Sequence, residues 1–504
     1  MSPRFPLPEL PDNESSNGRE CPGPLPDWTP DLSGPVPLYR QIAAYIRGKI
    51  GSGSWPPGTK LPPQRTLARE LGVNRSTVVA ALGLLAESGL IEGRHGGGTA
   101  VTRPGNGEGG RGSWLAYVEE GRHYPNLPAI QAINRLEFSP GLIRLGTGEP
   151  GPDLLPGTEM AAVMAELAQG PLPLPYEEPL GSLRLRRAVS AELARSGINA
   201  GPSSILILSG ALQGFQLISL GLLPKGSSIV LEKPSYLYSI HAFQSAGVRL
   251  HGLAMDDRGL IPEELEPAAA RTGAALLYTI PSFHNPTGIV MDLERRQQLM
   301  EKTDALGLPV LEDGAYQELW LDAPPPPPLK AMDRSGRVLH LGTLSKSASP
   351  GLRIGWIAGP EPVIQRLADI KMQTDYGASS LSQQAAAIWL EKGLHDRHTE
   401  TLRMKLRERR DLLLALLERH FAGLASWNRP SGGFYVWLRL KHPLPLPKLF
   451  HAALAEGLLL NTGDLYDRSD SRHLRLSFSY ASPAELERGI ARLAEVIRQF
   501  GGQV

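Results

Sequence analysis

Leu341-Gly342-Thr343-Leu344-Ser345-Lys346-Ser347-Ala348-Ser349-Pro350-Gly351-Leu352-Arg353-Ile354-Gly355-Trp356 sets a lysine among small hydroxyl and glycine residues, with an arginine seven positions further on. A lysine that forms an imine must be neutral part of the time, which a partly desolvated pocket near other cationic charge allows. Thr343, Ser345 and Arg353 supply hydroxyls and a planar cationic fork, a donor set suited to a bound phosphate. An amine beside a phosphate site points to pyridoxal phosphate (PLP) held as a Schiff base on Lys346. Taken alone, the stretch reads equally well as an exposed Ser-Lys loop, so the rest of the chain decides.

Upstream, Leu311-Glu312-Asp313-Gly314-Ala315-Tyr316 follows the apolar Leu308-Pro309-Val310 and reads as the end of a buried strand. A carboxylate at that end can pair with a pyridinium nitrogen and strengthen the ring as an electron sink. Asn285, in Phe283-His284-Asn285-Pro286-Thr287-Gly288, is held by a proline turn and can donate to a phenolic oxygen. Ile205-Leu206-Ile207-Leu208-Ser209-Gly210-Ala211-Leu212-Gln213 reads as strand, tight turn and helix start, a turn that aims backbone N–H groups at an anion. Asp313 as a helix cap, Asn285 as a turn residue and Gly210 as a plain left-handed turn are the ordinary readings. Four such pieces in this order outweigh them.

These residues resemble the fold-type-I, aspartate-aminotransferase-like PLP enzymes over roughly residues 142–500. The resemblance implies that Lys346 carries the cofactor, Asp313 pairs with the ring nitrogen, and Asn285 and Tyr316 contact the phenolic oxygen. It implies that Tyr236, in Pro234-Ser235-Tyr236, stacks on the ring. Thr343, Ser345, Arg353 and the backbone of Gly210, Ala211 and Leu212 would hold the phosphate. Tyr176 matches a residue that reaches the phosphate across a dimer interface, and Arg475, in Leu474-Arg475-Leu476-Ser477, one that grips an amino acid's carboxylate. Ala211 and Leu212 depart from the pattern, since relatives often have a hydroxyl and a glutamine there.

The front of the chain has a different character. Residues 35–103 carry nine Lys and Arg against three acidic residues, net +6, inside a chain whose overall charge is +1. A small basic domain is the electrostatic footprint of a nucleic-acid binder. Apolar positions 38, 42, 45 and 46 predict a first helix. Gln64 to Leu71 reads as a short helix ended by Gly72, and a further one runs to about Ser88, with Asn74 or Ser76 as its cap. Helix, glycine turn, helix is the helix-turn-helix arrangement, with Arg75, Ser76 and Thr77 at the end that meets DNA. Ile91 to Val101 reads as two strands around a basic, glycine-rich tip. This stretch resembles the winged helix-turn-helix of the GntR-type bacterial regulators through Gly58-Thr59-Lys60-Leu61-Pro62-Pro63-Gln64-Arg65 and Leu71-Gly72-Val73-Asn74-Arg75-Ser76-Thr77-Val78. That implies DNA contacts by Arg65, Arg75 and Thr77, with Arg94 and the Gly96–Gly98 tip, Gly97 at its centre, in the adjacent minor groove.

The two resemblances in this order are similar to the MocR-type regulators within the GntR family. The expected organisation is a disordered tail (1–34), a winged helix-turn-helix (35–103), a linker (104–141) with an apolar middle, Trp114-Leu115-Ala116-Tyr117-Val118, and an α/β PLP-dependent transferase body (142–504). Within the body a large part covers about 170–370 with a largely parallel sheet, and a C-terminal α+β subdomain covers about 371–504. The implied function is a PLP-dependent transcriptional regulator that binds double-stranded DNA as a homodimer. PLP itself, or an amine or amino acid, would be the effector, and a working aminotransferase with a secondary head is the rival reading. The chain has one cysteine, Cys21, and twelve histidines without paired metal-ligand spacing, so no disulfide framework and no metal are expected. No apolar run reaches the roughly 18–20 residues of a membrane span, and a cytoplasmic protein is expected. His284 reads as structural, and Pro324 to Pro328 as a stiff surface spacer.

Overall fold

The computed structural model describes residues 28–31, 36–51, 54–94, 98–102 and 126–501. It forms two compact units that divide between Gly121 and Arg122. Residues 1–27, Cys21 among them, Trp114 to Val118 and the wing-tip Gly97 lie outside the described residues.

In the smaller unit α1 (Leu38–Gly51), α2 (Gln64–Glu70) and α3 (Arg75–Glu87) precede an antiparallel pair, β1 (Ile91–Arg94) and β2 (Gly98–Val101), in which Ile91 opposes Val101. The helical spacing puts Ile42, Ile46, Leu67, Val78, Leu82 and Leu85 into one core that the two strands close with Ile91 and Val101. Asn74 stands at the N-cap of α3 but makes no side-chain capping bond. The expected tail contributes more than disorder. Trp28 stacks on Tyr45 with ring centroids 5.0 Å apart and packs against this core.

The larger unit opens with α4 (Pro128–Leu136), which lies inside the expected linker yet buries Ile133 in the body's core. A short strand, β3 (Ile143–Arg144), follows. The central sheet is built from β4 (Ile205–Leu208), β5 (Ser228–Glu232), β6 (Arg249–Leu253), β7 (Ala274–Thr279), β8 (Val310–Asp313), β9 (Val338–Thr343) and β10 (Gly355–Ala358), with α5 (Ala211–Gly221) directly after β4. Its order is β4-β10-β9-β8-β7-β5-β6, and only β10 runs against its neighbours. Both faces are covered. Leu206 and Leu208 of β4 join one apolar cluster, whereas Ile205 and Ile207 join another, as the two-residue period of a strand requires.

The C-terminal subdomain sets α6 (Leu394–Phe421) and α7 (Pro483–Gly501) against a sheet of order β11-β12-β15-β14. Its strands are β11 (Ala425–Trp427), β12 (Tyr435–Leu440), β14 (Asn461–Thr462) and β15 (His473–Ser477), while β13 (Leu458–Leu459) pairs in parallel with β3. The subdomain core therefore includes Ile133 and Leu145 from the start of the body. Pro324 to Pro328 is tied down, because the buried Arg296 guanidinium donates to the carbonyls of Pro326 (3.1 Å) and Pro327 (2.9 Å).

Leu85 is fully buried in the smaller unit. Leu85→Ala is expected to destabilise that unit by about 2–5 kcal/mol, lowering its calorimetric transition while the larger unit's transition stays in place.

Candidate cofactor and ligand site

Strand register places the site. Asp313, the last residue of β8, stands beside Leu341 of β9, and Thr343, the last of β9, stands beside Gly355 of β10. Gly355 in turn pairs with Leu208 at the end of β4. The carboxyl ends of the strands thus gather Asp313, Thr343, Lys346, Arg353 and the Gly210 turn at one edge of the sheet, where open α/β sheets take their ligands. A cavity of about 360 Å³ opens there. Its walls include Lys346, Asp313, Asn285, Tyr316, Tyr236, Arg353 and Arg475.

The Lys346 amine donates to the carbonyl of Gly148 at 2.6 Å. Asp313 accepts from the Ala315 N–H (3.0 Å) and the Tyr278 hydroxyl (2.9 Å). Burial nevertheless pushes its carboxyl above the ordinary aspartate range, with those two donors offsetting only part of the penalty. Thr343 Oγ1 lies 3.0 Å from both Ser345 Oγ and the Ile354 carbonyl and accepts from the Ser345 N–H, so it organises the turn. Arg353 has a left-handed backbone (φ 54) and reaches the Ser209 and Pro350 carbonyls at 3.3 Å. Its fork lies so close to Gly210 (φ 85) that a β-carbon there would fall 2.3 Å from a guanidinium nitrogen.

Arg475, 5% exposed, donates to Asn285 Oδ1 (2.8 Å) and the Gly146 carbonyl (2.6 Å). It lies over the rings of Tyr435 (4.1 Å) and Tyr466 (4.9 Å). Its Nε has no hydrogen-bond partner, and no carboxylate pairs with it among the described residues. With its Oδ1 committed to Arg475, Asn285 keeps its amide nitrogen as a donor. The Tyr316 hydroxyl is 2.8 Å from that of Tyr435. Ala211 and Leu212, at the start of α5, also line the cavity.

Several wall residues escape sequence reasoning: Glu137, Thr147, Gly148, Glu149 and Tyr435. The run Gly146-Thr147-Gly148-Glu149 was the available signal, because glycine admits close backbone approach. A β-carbon on Gly148 would fall 2.2 Å from the Tyr435 hydroxyl. Tyr176 does not join the cavity. It is 81% exposed and meets Tyr376 edge-on at 4.8 Å. His284 is buried, with Nδ1 2.8 Å from Thr287 Oγ1 and Nε2 3.6 Å from Glu232, and braces the loop that carries Asn285.

Elsewhere the fold assembles Glu192, Glu318 and His395, whose candidate ligand atoms lie within 4.8 Å of one another. These atoms already have partners. His395 Nε2 is 2.9 Å from Glu318, its Nδ1 accepts from Trp389 Nε1 (3.2 Å), and Arg195 binds Glu192. Burial pushes Glu318 up, but the His395 imidazolium outweighs it and holds the carboxyl at about 2. The cluster is an ion-pair network built from distant segments, invisible to a search for ligand spacing.

In the smaller unit Arg65, Arg75 and Ser76 are exposed and Thr77 is half-buried. Arg75 reaches Gln64 Oε1 at 3.5 Å, which brings the starts of α2 and α3 together. Neither Arg65 nor Arg75 pairs with a carboxylate among the described residues. Arg94 ends β1, next to the undescribed tip.

Residues 140–493 match the model of aminotransferase class I and II, and residues 38–101 that of bacterial regulatory proteins, gntR family. The chain is 50% identical to the uncharacterized HTH-type transcriptional regulator YisV of Bacillus subtilis (strain 168), over 94% of this chain and 99% of that protein. It is 31% identical to the HTH-type transcriptional regulator NorG of Staphylococcus aureus (strain N315), over 87% of this chain and all of that one. Among solved structures it is similar to kynurenine aminotransferase of Pyrococcus horikoshii, in complex with PMP (TM-score 0.72, 29% identity, 77% of this chain and 99% of that one). It is also similar to the α-aminoadipate aminotransferase LysN of Thermus thermophilus, complexed with N-(5'-phosphopyridoxyl)-L-leucine (TM-score 0.71, 29% identity, 78% and 100%).

Gly210→Ala is expected to push the Arg353 fork aside and weaken pyridoxal phosphate binding about tenfold or more, the loss of a charge-assisted hydrogen bond. Equilibrium titration with the cofactor measures this, and a change below about twofold would mean that the Arg353 fork takes no part in cofactor binding.

Proposed function

Because the chain belongs to the GntR-type regulators with an aminotransferase class I and II body, the MocR type, we propose that it is a PLP-dependent transcriptional regulator. Its body reports on a small amine or amino acid, or on PLP itself, to a DNA-binding head. The observation that carries this reading is one chain holding both a helix-turn-helix head and a cavity lined by Lys346, Asp313, Asn285, Arg353 and Arg475.

The cavity's residues fit pyridoxal phosphate. Arg353 and the close Gly210 turn make a cradle at the start of α5 that a side chain at 210 would fill. Asp313 is a buried carboxylate, raised above its ordinary range by that burial, and it stands in the cavity wall where a protonated ring nitrogen would pair with it. When bound, the cofactor supplies an electrophilic carbon for an amine and an electron-withdrawing ring. Arg353, Ser345 and the first N–H groups of α5 would hold the phosphate, and Asp313 would keep the ring nitrogen protonated. The Asn285 amide nitrogen would donate to the phenolic oxygen, and Tyr236 would stack on the ring. The Gly148 carbonyl orients the Lys346 amine, and Arg475 grips a ligand carboxylate that answers its unpaired charge.

In the head, the exposed Arg65, Arg75 and Ser76 with Thr77 meet the major groove, and Arg94 and the Gly97 tip meet the minor groove beside it. A ligand shifts the arrangement of such a protein only by binding one arrangement better than another. Leu174 (75% exposed), Tyr176 and Tyr376 (55% exposed) form an apolar surface that suits a second copy of the chain. Tyr176 would then serve the partner's phosphate site. No helix among the described residues is long and apolar enough to cross a membrane, and the protein works in the cytoplasm beside its DNA. A working aminotransferase remains the rival, favoured by the pairing of Lys346 with Arg475 in one cavity; release of more than one equivalent of oxo acid per protein would support it.

Lys346→Ala is expected to abolish the cofactor's protein-linked visible absorption and the response to ligand, with DNA binding retained in a gel-shift assay. An unchanged spectrum would overturn the assignment of Lys346. Arg75→Ala is expected to weaken binding to the cognate site by about 1–3 kcal/mol; equal affinity in the same titration would remove Arg75 from the interface.

A further inference from the structure

Glu137 and Glu149 stand in the cavity wall with Lys346 and Arg475, and the proposed function gives neither a role. Glu137 follows α4 as its C-cap, and its carboxylate accepts from Thr147 Oγ1 at 3.0 Å. Glu149, two residues beyond Thr147, receives no hydrogen bond on its carboxylate among the described residues. Burial, and then the field of Glu137, raise the Glu149 carboxyl above its ordinary value, while Lys346 and Arg144 pull it back.

The charges of the cavity can be assigned one by one. Arg353 answers the phosphate, Asp313 the ring nitrogen, and Arg475 a ligand carboxylate. The fields of Lys346 and Arg144 reach Glu149, yet neither cation forms an ion pair with it among the described residues. Arg144 instead lies over the Tyr480 ring, with its guanidinium carbon 4.5 Å from the centroid. A buried cation without a carboxylate (Arg475) and two half-buried carboxylates that form no ion pair among the described residues share one wall. A ligand that satisfies both carries a carboxylate at one end and a positive charge at the other.

We propose that Glu137, supported by Glu149, is the specificity-determining residue of the effector site and selects an amino acid whose side chain ends in a cationic group. This rests on the reading of the body as an amine sensor with Arg475 on the carboxylate. A neutral side chain leaves the two glutamates unanswered, and an acidic one meets them as like charges. Glu137 also ends α4, the first described element after the stretch that joins head to body, so the selected cation engages the segment nearest that connection.

The test uses the full-length protein loaded with pyridoxal phosphate, read by ligand-induced shifts of its visible band. L-lysine, L-norleucine and L-2-aminoadipate present a positive, a neutral and a negative end on side chains of similar length. L-lysine is expected to bind roughly ten- to hundredfold tighter than norleucine, with 2-aminoadipate weakest. Glu137→Gln keeps an acceptor for Thr147 and is expected to remove most of the lysine advantage while norleucine affinity stays within about twofold. Glu137→Lys is expected to invert the order in favour of 2-aminoadipate. Equal affinities for lysine and norleucine, or an equal loss for both in Glu137→Gln, would overturn the selection by Glu137 and leave amine sensing intact. A visible band that no amino acid moves would overturn both together.

Discussion

The pairing of β9 with β8 on one side and β10 on the other governs where every polar group of the cavity can stand. Asp313, Thr343 and the Gly210 turn come from segments more than a hundred residues apart at the extremes, yet the ladder brings their strand ends level. The strands between them are buried on both faces, so a slip of one residue would exchange the two apolar clusters that cover the sheet. Register at the edge is therefore enforced by packing in the middle. The antiparallel β10 has a specific consequence: it starts at the edge where β9 ends, so the connection that carries Lys346 and Arg353 stays at that edge.

Charge placement follows the same logic. Asp313 and Arg475 are buried groups held by hydrogen bonds, and in the case of Arg475 by aromatic faces, with no ion pair to either among the described residues. Such groups cost stability in a structural core, and their presence marks a site completed by something it binds. The Glu192–Glu318–His395 network is the contrasting case, because its charges compensate one another inside the fold.

Much of this was legible in the amino-acid sequence, for a physical reason. Strand ends, glycine turns and the helix-turn-helix are local patterns, so Lys346, Asp313, Asn285 and Gly210 could be placed on their elements from neighbouring residues alone. Trp28, α4, Tyr435 and Glu137 could not. Trp28 lies far from any periodic pattern in a proline-rich stretch, and its stack on Tyr45 and packing on the small core give it a place. The α4 helix sits where composition reads as linker, and its apolar face has meaning only against a core contributed by residues 400–500. Tyr435 and Glu137 reach the cavity through contacts with Tyr316 and Thr147 that no periodicity encodes.

Arg475 donates to Asn285 on a loop of the large sheet and to Gly146 near the start of the body, while its own strand belongs to the C-terminal subdomain. Three parts of the body meet on one guanidinium. An incoming molecule without an anionic group must leave that ion dry and unanswered, so rejection by penalty is a stronger filter than attraction by added contact. The same junction makes recognition mechanical: whatever draws on Arg475 also pulls on the seam between the two halves of the body.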